Sequence, residues 1–147
     1  MRRQYEIHTT LSALPMFRHC SRKHIDHIVS ITDQVELPAG HMLCREGAAG
    51  PECFIIVTGQ AEVTLDGVHL AVVGAGELVG EMAPLDGGRR SATVTTTTPT
   101  VALVIEGQRF EALVHAVPAV SQAVVRQLSG RLRAQDETAA TRRASAA

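Results

Sequence analysis

From about residue 34 to 106 apolar positions recur in short runs punctuated by glycine and proline. Val35-Glu36-Leu37 alternates, and Pro38-Ala39-Gly40 turns the chain. Met42–Cys44 follows as a short strand, then Glu46–Pro51 as a loop. Cys53–Val57 is apolar throughout and reads as a buried strand, ended by Gly59. Ala61, Val63 and Leu65 alternate with Glu62, Thr64 and Asp66, which marks a strand with one wet face. Asp66-Gly67 is a hairpin turn signal, and Val68–Val73 is the returning strand. Gly74-Ala75-Gly76 turns again. Ser91–Thr98 and Thr100–Glu106 are two further strands, broken at Pro99. Many short strands at near-regular spacing predict a barrel or sandwich.

Helical patterns flank this β region. Residues 1–20 form a helical or irregular lead-in, with Leu11, Leu14, Met16 and Phe17 able to pack back on a core. Ser21 is an N-cap candidate for a helix with Ile25, Ile28 and Val29 on one face and Arg22, Lys23, His24, Asp26 and His27 on the other. Arg109–His115 is a second short helix with Phe110, Leu113 and Val114 on one side. Pro118 suits a first helical position, and Val120, Val124, Val125, Leu128 and Leu132 continue at helical spacing to about Arg133. Ala134–Ala147 is Ala-rich, polar and aperiodic, which predicts a frayed tail. The expected division is a lead-in over 1–20, one domain over 21–133 and a flexible tail over 134–147.

Composition narrows the function. Aromatic residues are only 3% of the chain, so the core is aliphatic. A net charge of −1 argues against a general nucleic-acid surface. Cys20, Cys44 and Cys53 are odd in number and lack Cys-x-x-Cys spacing, so reduced thiols and a cytoplasmic location fit better than disulfides or zinc. Met1–Leu14 has no apolar signal-peptide core, and apolar runs such as Val101–Ile105 are strand-sized, so no membrane span is expected. His24-x-x-His27 would place two imidazoles on one helix face, but no third metal ligand accompanies them. No His-x-His pair supports a metal-binding cupin barrel, and no nucleophile–His–acid set supports a hydrolase. Arg142-Arg143-Ala144-Ser145 fits a basophilic kinase pattern of a kind common by chance in flexible tails.

One segment carries chemistry: Gly80-Glu81-Met82-Ala83-Pro84-Leu85-Asp86-Gly87-Gly88-Arg89-Arg90-Ser91-Ala92-Thr93. It interrupts the β pattern with room for a single helical turn and re-enters a strand at Arg90. A helix N-terminus points unpaired backbone N–H groups outward and attracts anions. Gly80 lets a ligand approach the backbone, Arg90 adds a planar fork that matches a phosphate, and Ser91 adds a hydroxyl. Glu81, when ionised, accepts hydrogen bonds from a sugar hydroxyl. Together these groups would hold a phosphate and a ribose side by side.

The segment resembles the phosphate-binding cassette of the cyclic-nucleotide-binding domain family, the sensor barrel of catabolite activator protein and of protein kinase A regulatory subunits. The family pattern runs Gly-Glu-apolar-Ala, then Arg-small-Ala, and Gly80, Glu81, Met82, Ala83, Arg90, Ser91 and Ala92 fall on it. Leu37-Pro38-Ala39-Gly40 with Glu46-Gly47, Phe54–Gly59, and Gly74-Ala75-Gly76-Glu77 are similar to its other turns, so the resemblance spans residues 11–133. It implies a mainly β fold with flanking α: an eight-stranded jelly-roll-like barrel with N-terminal helices, a short phosphate-binding helix and a C-terminal lid helix. It implies that Arg90 pairs with the exocyclic phosphate oxygens and that Glu81 accepts from the ribose 2′-OH. Backbone N–H groups near Met82, Ala83 and Ala92 would bind phosphate or sugar oxygens. Pro84 departs from the pattern and removes one N–H from the cassette helix. Val79 stands where an aromatic is common, and Gly50-Pro51-Glu52 lacks the usual acidic turn.

The expected function is therefore a non-enzymatic sensor of a cyclic nucleotide, cAMP or else cGMP, with no cofactor. The 14 residues after Arg133 are too few for a helix-turn-helix, so the expected output is an unidentified protein partner rather than direct DNA contact or a membrane. Two alternatives stand beside it: a degenerate barrel used for protein–protein interaction, and the isolated sensor portion of a transcription regulator.

Overall fold

A computed structural model describes residues 2–14, 17–50, 52–80 and 89–146. Two helices lead in: α1 (Arg2–Ala13) and α2 (Arg22–Ser30). Ser21 caps α2 as expected, its hydroxyl accepting from the His24 N–H at 3.2 Å. Eight strands follow among the described residues: β1 (Asp33–Leu37), β2 (Met42–Cys44), β3 (Glu52–Thr58), β4 (Ala61–Leu65), β5 (Val68–Val73), β6 (Leu78–Val79), β7 (Thr93–Thr96) and β8 (Thr100–Glu106). Two helices close the chain, α3 (Gly107–Ala116) and α4 (Pro118–Ala146).

The strands form two antiparallel four-stranded sheets, in the orders β1-β8-β3-β6 and β2-β7-β4-β5. This is the jelly-roll arrangement expected; hydrogen bonds among the described residues do not join the two sheets into a closed cylinder. The uninterrupted apolar run of β3 has a clear cause. Cys53, Ile55 and Val57 face a core shared with α1, α2, α3 and α4, including Leu11, Ile25, Phe110 and Val120. Phe54 and Ile56 face the other way, into a second core with Cys44, Ala61, Val73, Val79 and Val94 between the sheets. One sheet thus has helices on one face and the second sheet on the other, and its central strand has no wet side.

Two elements differ from the expectation. Strand β6 is only two residues long, Leu78 and Val79, too short for a periodic signal. The C-terminal helix does not end near Arg133: α4 continues through Ala146. The supposed tail contains Ala, Arg, Gln and Glu, all good helix formers, and no proline, so aperiodicity there removes the packing face but not the helix. Within the apolar stripe itself Val120 and Val124 are buried, whereas Val125 and Leu132 are exposed.

Candidate functional site

The site is assembled around Arg90. The strand expected from Ser91 begins only at Thr93, so Arg90 lies in the irregular run before β7. Its backbone is nevertheless fixed. The Gly47 N–H donates to the Arg90 carbonyl at 2.9 Å, and the Arg90 N–H donates to the Ala48 carbonyl at 3.0 Å. This reciprocal pair anchors Arg90 to the β2–β3 loop. The same loop is tied twice more through Glu46. Its N–H donates to Thr93 Oγ1 at 3.1 Å. Its carboxylate accepts the Asp66 N–H at 3.2 Å from both oxygens. Asp66 and Gly67, at φ 51° and 76°, make the tight turn that the Asp-Gly pair encodes.

The Arg90 side chain turns inward and is only 7% exposed. Its Nη1 donates to the Gly80 carbonyl at 2.9 Å and its Nη2 to the Glu52 carbonyl at 2.6 Å. Both of these partners are neutral, so among the described residues the positive charge is oriented without being cancelled. A guanidinium has five N–H donors, and among the described residues these two bonds leave the others for a further acceptor. A phosphate or a carboxylate would match, because each accepts two parallel N–H bonds and supplies the opposite charge.

Two glycines make this placement possible. A Cβ on Gly50 would overlap the Arg90 guanidinium, and a Cβ on Gly80 would overlap Nη1. Gly80 also sits at φ 81°, in the region open to glycine. Gly50 has no such backbone requirement, so its missing side chain serves the close approach of Arg90.

Of the residues singled out from the sequence, Gly80 and Arg90 meet directly, and Ser91 and Ala92 continue the same run. Ser91 is exposed and Ala92 half-buried. Glu81, Met82 and Ala83, with Pro84 and the expected phosphate-binding helix, lie outside the described residues. Arg89 is exposed and reaches only the Gly47 carbonyl, at 2.9 Å. Sequence reasoning missed Gly50, the Glu52 carbonyl and Gln127. A glycine next to a proline reads as loop punctuation, and a backbone carbonyl has no side-chain signature. Gln127 sits on α4, where its amide accepts from the Leu78 N–H at 2.9 Å and donates to the Leu78 carbonyl at 2.8 Å. Among the described residues no cluster of three or more His, Cys, Asp or Glu is arranged for a metal, and no helix is long and apolar enough to cross a membrane.

Comparison with known proteins agrees with this geometry. Residues 34–116 match the family described as the cyclic nucleotide-binding domain, and the chain belongs to that family. A cyclic nucleotide-gated potassium channel of Rhizobium etli is 32% identical over 114 residues, 78% of this chain and 32% of the channel. The crystal structure of the catabolite activator protein of Thermus thermophilus superposes with a TM-score of 0.73 at 28% identity, covering 86% of this chain and 62% of that one. A protein kinase A regulatory domain bound to Sp-2Cl-cAMPS shares the fold, with a TM-score of 0.82 at 17% identity, covering 94% of this chain and 92% of that one. The chain thus spans about a third of the length of the channel it matches, 32%.

Proposed function

We propose that this chain binds cAMP through Arg90 and acts as a regulatory module without enzymatic activity, its output carried by a partner protein. The observation that carries the reading is the Arg90 guanidinium, buried, oriented by two neutral carbonyls and shielded by two glycines. Such an arrangement has its donors fixed before a ligand arrives, so little side-chain entropy is lost on binding. The cyclic phosphate, carrying the nucleotide's single negative charge, would sit against this fork. Glu81 would take the ribose 2′-OH, and backbone N–H groups near Met82, Ala83 and Ala92 would share the remaining oxygens. Leu65 and Val68 pair across the end of the β4–β5 hairpin, on the face that carries buried Ala61 and Val73, and remain 40% and 52% exposed. They offer an apolar surface for a base.

The names of the relatives support the ligand class: a cyclic nucleotide-gated channel, and a kinase regulatory domain bound to a cAMP analogue. Ser91 follows Arg90 and offers a hydroxyl to a guanine, so cGMP is the competing ligand. A thermal-shift screen against cAMP, cGMP and cyclic dinucleotides tests the reading, because a ligand that binds the folded state raises the melting temperature by mass action. A rise with cAMP at lower concentration than with the others is expected. No shift with any of them would refute it.

A further inference from the structure

The bond between Gln127 and Leu78 joins α4 to the strand that enters the binding site. Leu78 is 1% exposed, and β6 is the last strand of its sheet, paired with β3 on one side only. A buried strand edge leaves N–H and C=O groups without a ladder partner, and each costs stability unless it is satisfied. The Gln127 amide supplies both partners at once, as a neighbouring strand would. Strand β6 is also divided between the two cores. The Leu78 side chain packs with Phe110, Leu113, Val117, Val120 and Val124 of the helices, whereas Val79 packs between the sheets with Phe54 and Ile56. The next residue is Gly80, whose carbonyl orients Arg90 Nη1. A continuous covalent and hydrogen-bonded path therefore runs from α4 to the phosphate fork: Gln127, Leu78, Val79, Gly80, Arg90.

We propose that Gln127 is a positioning residue for the nucleotide site: by clamping both backbone groups of Leu78 it fixes the Gly80 carbonyl that orients Arg90. The inference rests on the nucleotide-binding reading for its ligand, but the clamp acts in the unliganded protein as well.

The test uses the full chain with Gln127→Ala, Gln127→Glu and a control, Leu128→Ala. Leu128 neighbours Gln127 on α4 and packs on the helical core, so its truncation loosens the helix without touching the Leu78 backbone. Gln127→Glu keeps the reach and one acceptor, loses the donor and sets an oxygen against the Leu78 carbonyl. Two readouts are taken: cAMP affinity by calorimetry, and the order of the Arg90 guanidinium by ¹⁵N NMR of its Nε–H without ligand. Both Gln127 variants should weaken cAMP binding by about 5- to 30-fold, within the usual range of site-to-site coupling. They should also broaden the Arg90 signal, although Gln127 does not touch Arg90. Leu128→Ala should lower the melting temperature yet leave both readouts within about twofold of the unsubstituted chain, less than 1 kcal/mol. Unchanged affinity and an unchanged Arg90 signal in both Gln127 variants would overturn the proposal, as would equal losses in Leu128→Ala. If the unsubstituted chain bound no cyclic nucleotide, the ligand reading would fall, and the ligand-free Arg90 signal would still decide whether Gln127 positions the fork.

Discussion

Replacing Gly50 by alanine isolates the orientation of Arg90 from its charge. Gly50 does not occupy the left-handed region, so alanine meets no backbone strain there. The added Cβ instead overlaps the guanidinium, which must swing away from the Gly80 and Glu52 carbonyls. Complete loss of a buried charge-assisted partner costs about 2–5 kcal/mol. A displaced arginine keeps its charge near the phosphate and loses only part of that. We expect a loss of about 1.4–2.8 kcal/mol, a 10- to 100-fold rise in Kd for cAMP. Overpacking should lower stability by about 1–3 kcal/mol. Calorimetric titration measures the first effect and thermal unfolding without ligand the second. A Gly50→Ala protein that unfolded like the unsubstituted chain and bound cAMP within about twofold of it, under 1 kcal/mol, would refute the claim that this glycine clears room for the fork.

Further outcomes follow from the same geometry. Arg90→Ala should weaken cAMP binding by about 30-fold to several thousand-fold and also destabilise the protein, since the partly buried Gly80 and Glu52 carbonyls lose their donor; calorimetry and melting check both. Arg90→Lys should recover little affinity, because an ammonium is a point charge and not a planar fork. Burial pushes the Cys20 thiol above its ordinary pKa, and Cys44 and Cys53 are buried. Less thiolate is present at a given pH, so native protein should react with iodoacetamide more slowly than free cysteine near pH 8, and as fast as free cysteine once denatured. Gly130 lies within α4 with no atom close to a prospective Cβ, so Gly130→Ala should raise helicity, with about 1 kcal/mol of local stabilisation seen by circular dichroism and hydrogen exchange.

Elements with a local signal were legible in the sequence. Alternation placed β4, the Asp66-Gly67 pair placed the turn into the returning β5, Ser21 placed the start of α2, and the apolar run over Cys53–Val57 marked a buried strand. Arg90 was legible because a charged residue follows glycines at the re-entry to a strand, in a pattern shared with a family. The parts missed depend on contacts between distant segments. Strand β6 exists because two residues can pair with β3 while their side chains enter different cores. Gly50 matters only because Arg90 arrives beside it from 40 positions along the chain. Gln127 reads as a polar position on an amphipathic helix until the edge of β6 is set against it. The length of α4 was misread for a different reason: helix propensity persists after the apolar stripe has stopped, and periodicity reports only the stripe.

The most direct test of the central claim is calorimetric titration of the 147-residue chain with cAMP, with Arg90→Ala titrated in parallel. The account predicts saturable heat with one nucleotide per chain for the unsubstituted protein. For Arg90→Ala it predicts heat that vanishes or shifts by about 30-fold or more in Kd. Equal binding curves for the two proteins, or no heat in either, would contradict it.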